Sequence, residues 1–327
     1  LKKILAADIG GTNSRFAYFE LLPDNTLSLS DTCWLKTVDA GSFLQLLEQL
    51  VAVDFPLMPG QSDAAVFAIA GPVEKGLFSV PPNISWSIDL ASAAENMGLQ
   101  RYLLINDFVA QAYACRSPII VDARQVLPGT IVPDAALAVI GAGTGLGQAA
   151  LIPNADNQFW AVPSEGGHSN FAFESQEEYE YMKFLLDAFG SDYVETETVV
   201  SGKGLSLVHQ FLTGEVLEPA KIAASVKRES RTFRWMARFY GRVCRLYALQ
   251  VLARGGVYIT GGVAARIPEL VLHAEFKKEF YKSTTMNHVL KQIPVYLNSN
   301  EDSGLWGAAV VGQQLLNTSA SQRGGAA

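Results

Sequence analysis

The chain has 327 residues, enough for about two domains, and its 49% apolar and 17% charged content is that of an ordered globular protein. A net charge of −7 has the wrong sign for a nucleic-acid partner, whose phosphates demand a basic footprint. Cys33, Cys115 and Cys244 are odd in number and far apart, with no C-x-x-C, so neither a disulfide framework nor a cysteine zinc site is signalled.

No apolar run approaches ~18 residues free of charge, so no membrane partner is expected. The opening LKKILAADIGG enters a strand almost at once and is no secretory signal, so a cytosolic setting is expected. ILAADI, SRFAYFEL and TLSLSDTCWL then read as a β-meander, broken at Gly10-Gly11 and at Pro23-Asp24-Asn25. Ser42 opens a helix with Gln45 as its capping-box partner, and Phe43, Leu46, Leu47, Leu50 and Val51 keep helical spacing. AAVFAIAG (64–71) and LLIND (103–107) are buried strands, and FVAQAYACR is the helix after the second. This βαβ alternation predicts a mixed sheet covered by helices.

After Pro118 the pattern repeats loosely. ALAVIGAGTGLG is a strand into a hairpin, and Ser175 with Glu178 opens a helix that Gly190 closes. The stretch 219–254 reads as one long helix, with Pro219 in its first turn and an apolar stripe that suits a core or a subunit interface. VYITGG and IPVYLN are further strands, GLWGAAVVGQQLL is a terminal helix, and TSASQRGGAA reads as a tail.

Three glycine-rich turns follow apolar runs: ILAADIGGTNSR (4–15), ALAVIGAGTGLGQ (137–148) and GGVYITGGVAAR (255–266). Such turns let backbone N–H groups approach an anion, because no Cβ intervenes. The first two run on into β-prone sequence, so they predict strand–turn–strand hairpins and not a dinucleotide fold, and no G-x-x-x-x-G-K-[ST] is present. Asp8 ends a strand before Gly10-Gly11-Thr12, where a carboxylate can orient metal-bound water beside phosphates or simply serve the turn. Gly143, Thr144 and Gly145 offer N–H groups and a hydroxyl to phosphates. Asn106 and Asp107 end a buried strand at the sheet edge where ligands bind, although Asp107 equally suits the N-cap of the next helix. Glu165-Gly166-Gly167-His168 can converge a carboxylate and an imidazole on one small polar ligand, or form a plain turn.

ADIGGTNSRFA, FAIAGPV, NISWSID, INDFVA, GAGTGLG, PSEGGHSNFA, VVSGKGL, YITGGVAAR and NEDSGLWGAA run nearly end to end. In these segments the chain resembles the bacterial glucokinases of the hexokinase–actin ATPase superfamily. PPNISW, where Thr-Asn is expected before Trp, and Lys203, where Pro is common, are the departures. The resemblance implies a two-lobed actin-like α/β fold, each lobe a mixed sheet flanked by helices. Its lobes would be 1–117 with 304–318 and 118–303, followed by a flexible 319–327. It implies ATP-dependent phosphorylation of glucose at the 6-hydroxyl, with Mg²⁺, in a homodimer that closes on the sugar.

By the same resemblance Asp107 is the base that accepts the hydroxyl proton, and Asn83, Asn106, Asp107, Glu165, His168 and Glu197 hold the sugar, with Glu195 competing for the register of Glu197. Ala7, Asp8, Ile9, Gly10, Gly11, Thr12, Gly143, Thr144, Gly145, Ser201, Gly202, Gly261 and Gly262 surround the nucleotide, and Asp8 reaches the metal through water. The related repressor–kinase group binds zinc through a corresponding His and nearby cysteines. No cysteine lies between Cys115 and Cys244, so His168 is left for the sugar. A sugar-binding repressor on this fold would need a helix-turn-helix before the first strand and a basic face; an actin-like filament protein would not need the Asn-Asp and E-G-G-H residues. Mannose, glucosamine and fructose are alternative sugars.

Overall fold

The computed structural model describes residues 1–154 and 158–324. The chain divides into two compact units, Leu1–Val121 with Asn300–Ala327, and Asp122–Ser299.

The first unit is built on β1 (Lys2–Ile9), β2 (Asn13–Leu21), β3 (Leu27–Lys36), β4 (Ala64–Ile69) and, after the short β5 (Phe78–Ser79) and β6 (Ile88–Asp89), β7 (Tyr102–Asn106). The sheet order is β3-β2-β1-β4-β7; the β1–β2 and β2–β3 pairs are antiparallel, and β4 and β7 extend the sheet in parallel. Alternation assigns the two faces. Leu5, Ala7, Ile9, Phe67 and Ile69 bury into a core with helix Phe43–Ala52. On the other face Ile4 lies under Gly312, and Phe19 packs edge-on against Trp306 of the terminal helix Ser303–Gly324. Central strands covered on both faces explain why AAVFAI is apolar at every position. The terminal helix continues through 319–324, where the sequence reading placed a tail, and 325–327 lie outside the described residues.

The second unit carries β8 (Arg124–Leu127), β9 (Leu137–Ala142), β10 (Leu146–Pro153), β11 (Phe159–Ser164), β12 (Val257–Thr260) and β13 (Val295–Leu297) in the order β11-β10-β9-β12-β13-β8. Its first five positions repeat the plan of the first sheet: an antiparallel hairpin and third strand, then two parallel strands. The loose sequence repeat is thus a repeated topology.

The long helix predicted over 219–254 is two helices, Pro219–Ser225 and Arg231–Gln250. Ser230 caps the second by accepting from the Phe233 amide at 3.2 Å, and Val226 turns extended between them. Helix Arg231–Gln250 is buried nearly all round within its own unit, so its surplus apolar residues, Trp235 and Phe239 among them, are core. Buried charge accompanies them. Arg242, 1% exposed, bonds Glu178 at 2.6 Å, Glu279 at 3.1 Å and the Ala172 carbonyl at 2.7 Å. Among the described residues no helix is long and apolar enough to cross a membrane.

Candidate active site

The first glycine turn is the loop of the β1–β2 hairpin, with Ile9 opposite Ser14 and Gly10 N–H donating to the Asn13 carbonyl at 3.1 Å. The same register sets Asp8 opposite Arg15, whose Nη2 donates to Asp8 Oδ2 at 2.6 Å. Arg15 is itself placed by Asp302 at 3.7 Å and by the Trp34 ring, 5.2 Å beneath its guanidinium. Ala7 and Ile9 are buried in the sheet, so only their backbone and their placement of Asp8 could serve a nucleotide. Thr12 accepts from the Thr37 amide at 2.9 Å. A Cβ on Gly11 would stand 2.6 Å from the Asn83 carbonyl, so this glycine lets the loop carrying Asn83 close on the turn.

In the second unit the turn joining β9 to β10 is cinched by Gly143 N–H donating to the Gly145 carbonyl at 2.8 Å. It opens onto a cavity of about 600 Å³ where Gly143, Thr144, Gly202 and Gly262 meet, with Lys203 and Arg266 beside them. A Cβ added to Gly143 or Gly262 would meet nothing within 4 Å. Both glycines therefore face open space. Gly145 faces elsewhere, since its Cβ would stand 2.5 Å from Glu197 Oε2. Ser201 is buried and caps helix Gly202–Thr213, accepting from Gly204 N–H at 3.1 Å, and Gly261 (φ 86°) supplies the bend before Gly262. The apolar wall of Val216, Leu217, Pro219, Ala223 and Ile267 was not foreseen. No local pattern announces it, because segments around 143, 202, 217 and 263 become neighbours only through packing.

Asn106, not Asp107, is the N-cap of helix Asp107–Ala114. Its Oδ1 accepts from the Phe108 and Val109 amides at 2.9 and 3.3 Å, and its Nδ2 donates to the Gly71 carbonyl at 3.1 Å. Asp107 is the first helical residue, half-buried, with Oδ1 accepting from its neighbour Phe108 N–H at 3.0 Å. The capping alternative for Asp107 is overturned. An acidic first-turn residue also suits the helix dipole.

Glu165 and His168 flank a single turn, Gly166–His168. Its second glycine is required by packing: a Cβ on Gly167 would lie 2.2 Å from the Leu146 carbonyl. His168 Nε2 is 3.9 Å from Glu165 Oε2, while Nδ1 is 3.4 Å from Glu195 and 3.8 Å from Glu197. Burial works against charge on the imidazole, but the hydrogen bond to Glu195 and the charges of Glu197, Glu195 and Glu165 outweigh it and raise the His168 pKa. Glu197 Oε2 also accepts from Leu146 N–H, at 3.3 Å, and so joins this cluster to the glycine turn of β9–β10.

Two mixed sheets of one topology, each with a glycine hairpin at its centre, define the fold of the two-lobed actin-like sugar kinases. A glucokinase family model matches residues 5–315. Glucokinases of Nostoc sp. (strain PCC 7120 / SAG 25.82 / UTEX 2576) and Pseudomonas paraeruginosa are 31% and 33% identical, covering 95% and 96% of this chain and 99% and 93% of their own. Among solved structures, a glucokinase from an Antarctic psychrotroph superimposes with TM-score 0.84 at 26% identity, over 96% of this chain and 99% of that one. A ROK-family glucokinase from Streptomyces griseus, in complex with glucose and AMPPNP, shares the fold at TM-score 0.63 and 18% identity, over 95% and 99% of the two chains. The chain belongs to the glucokinase family, and is a kinase.

Proposed function

We propose that the chain transfers the γ-phosphoryl group of ATP to the 6-hydroxyl of D-glucose. The observation that carries this reading is the meeting, in one unit, of a glycine turn open to a cavity and an imidazole–carboxylate cluster, joined at Leu146 and Glu197. The cavity falls in the size range of small-ligand sites. Its apolar wall suits the base and ribose of ATP. Thr144 and Gly262 stand where N–H groups and a hydroxyl can meet phosphates, while Gly143 and Gly202, whose N–H groups donate to the Gly145 and Gly143 carbonyls, leave room for them. Glu165, His168 and Glu197 act on sugar hydroxyls, as do Asn83 and Asn106. Asn106 keeps one amide hydrogen for this beyond its bond to Gly71.

In the transfer the 6-oxygen attacks the γ-phosphorus, the new P–O bond forms as the bond to the β-phosphate bridging oxygen breaks, and ADP leaves. Asp107 takes the hydroxyl proton. Asp8 is a single carboxylate already sharing Oδ2 with Arg15. That donor set fits Mg²⁺ held through water, because this ion keeps much of its hydration and takes its other ligands from phosphates. When bound it would neutralise charge on the phosphates. A cytosolic setting, where ATP is available, accords with this reading, and the homodimer rests on family resemblance alone. Light scattering that returns the 35.3 kDa of one chain would refute the dimer.

The activity is tested by ADP release over a panel of glucose, mannose, glucosamine and fructose, with the glucose product identified by a dehydrogenase specific for the 6-phosphate. Glucose should be turned over and yield the 6-phosphate. ADP release without that product would overturn the reading.

A further inference from the structure

One residue of the histidine cluster has no part in the chemistry above. Glu195 precedes the short helix Thr196–Val199 and is half-buried. Its backbone is tied to the histidine turn, through a β-bridge between Asn170 and Glu195 and through Thr196 N–H donating to the Ser169 carbonyl at 2.8 Å. The Thr196 hydroxyl donates to the same carbonyl at 2.8 Å. At its other end, the Tyr193 hydroxyl donates to Glu195 Oε1 at 3.2 Å, leaving Oε2 on His168 Nδ1 at 3.4 Å. Glu197 is farther from Nδ1 and has one oxygen committed to Leu146 N–H. An ionised carboxylate has no proton to give, so a ring nitrogen that faces one must carry the hydrogen.

We propose that Glu195 is the positioning residue of His168: held by Tyr193, it accepts the Nδ1–H proton, fixes the ring, and leaves Nε2 on the side of Glu165 for a sugar hydroxyl. The inference rests on the sugar-site reading of His168. It assigns Glu195 to the histidine and leaves Glu197 as the sugar ligand of the pair. The carboxylates facing the ring are Glu165, Glu195 and Glu197, and Tyr193 faces Glu195. Removing the Glu195 charge should therefore lower the pH at which His168 loses its proton, while Glu165 and Glu197 retain part of the effect.

The test uses Glu195→Gln and Tyr193→Phe in the full chain. Imidazole NMR follows the titration, with the His168 signal assigned by its loss in His168→Gln. In Glu195→Gln the titration should move to lower pH, with a smaller shift of the same sign in Tyr193→Phe. KM for glucose should rise about 3- to 10-fold, the worth of one hydrogen bond, with a much smaller change in kcat and in KM for ATP. A His168 titration and a glucose KM that both match the parent in Glu195→Gln would overturn the inference. If instead His168→Gln left glucose KM unchanged, the sugar-site reading would be the one to fall, and the NMR titration would still decide whether Glu195 holds the ring.

Discussion

Asn106 and Asp107 are neighbours with different work, and the difference lies in hydrogen bonds that the letters Asn-Asp do not reveal. Asn106 ties the end of β7 to Gly71 and to the first amides of the next helix. Asn106→Ala should cost about 1–2 kcal/mol of stability, whereas Asn106→Asp should keep the cap but lose the bond to the Gly71 carbonyl, to which a carboxylate cannot donate, and so recover only part of it. Chemical denaturation checks both. Either residue could have been the cap by propensity; only the backbone position of the helix start decided it. The paired glycines of E-G-G-H were legible as a turn, but not the Leu146 carbonyl that makes a side chain intolerable at Gly167. Gly167→Ala should cost about 1–3 kcal/mol by overpacking and raise glucose KM by displacing His168, read by thermal melts and by kinetics.

At the scale of the elements, strands and caps were well marked in the sequence, because a β period of two and a Ser that opens a capping box before a helical apolar stripe are local signals. Ser42 and Ser175 both cap as expected. In each case the acidic or amide partner accepts from the amide before the cap, Gly41 and Glu174 respectively, instead of from the cap itself. Glu178 shows what local reading misses. It is also the buried partner of Arg242 on helix Arg231–Gln250, 64 residues away. Arg242→Met should take the buried guanidinium from Glu178 and Glu279, leaving them Arg238 at 3.5 Å and Arg245 at 3.1 Å, and cost about 3–5 kcal/mol. The double variant with Glu178→Gln should lose less than the sum of the two single variants, a coupling that a double-mutant cycle measures.

The rim of the same cluster sets a pH dependence. Burial works to raise the Glu174 pKa, but Lys282, Arg242 and Arg245 outweigh it and hold the carboxyl below its ordinary value. A carboxylate lowered on folding stabilises above its unfolded pKa of about 4.3, and that contribution is lost as pH falls through the folded value. Glu174→Gln should therefore be less stable than the parent at neutral pH, with the gap closing in acid. Denaturation at a series of pH values reads the gap; one that widens in acid would contradict the assignment.

For the whole molecule, the repeated sheet order gives two glycine hairpins from one plan, and that much was legible as strand–turn–strand sequence. The cavity proposed for the nucleotide was half legible. Its glycines stood out, whereas its apolar wall is assembled from segments distant in sequence. The open space at Gly143 permits a clean test. Gly143→Val should change stability by no more than about 0.5 kcal/mol, as an unstrained surface substitution does. It should raise KM for ATP about tenfold or more by occupying the cavity, while glucose binding, followed by tryptophan fluorescence without nucleotide, stays as in the parent.

Glucose phosphorylation as proposed turns on Asp107 as the proton acceptor. Asp107→Asn keeps size and hydrogen bonding but removes the base, and the helix cap on Asn106 is untouched. The deciding measurement is kcat for glucose 6-phosphate formation by this variant, taken beside its glucose affinity by calorimetry. A fall in kcat of about 10²–10⁴-fold with affinity held within a few-fold is the predicted result. A kcat close to that of the parent would contradict it.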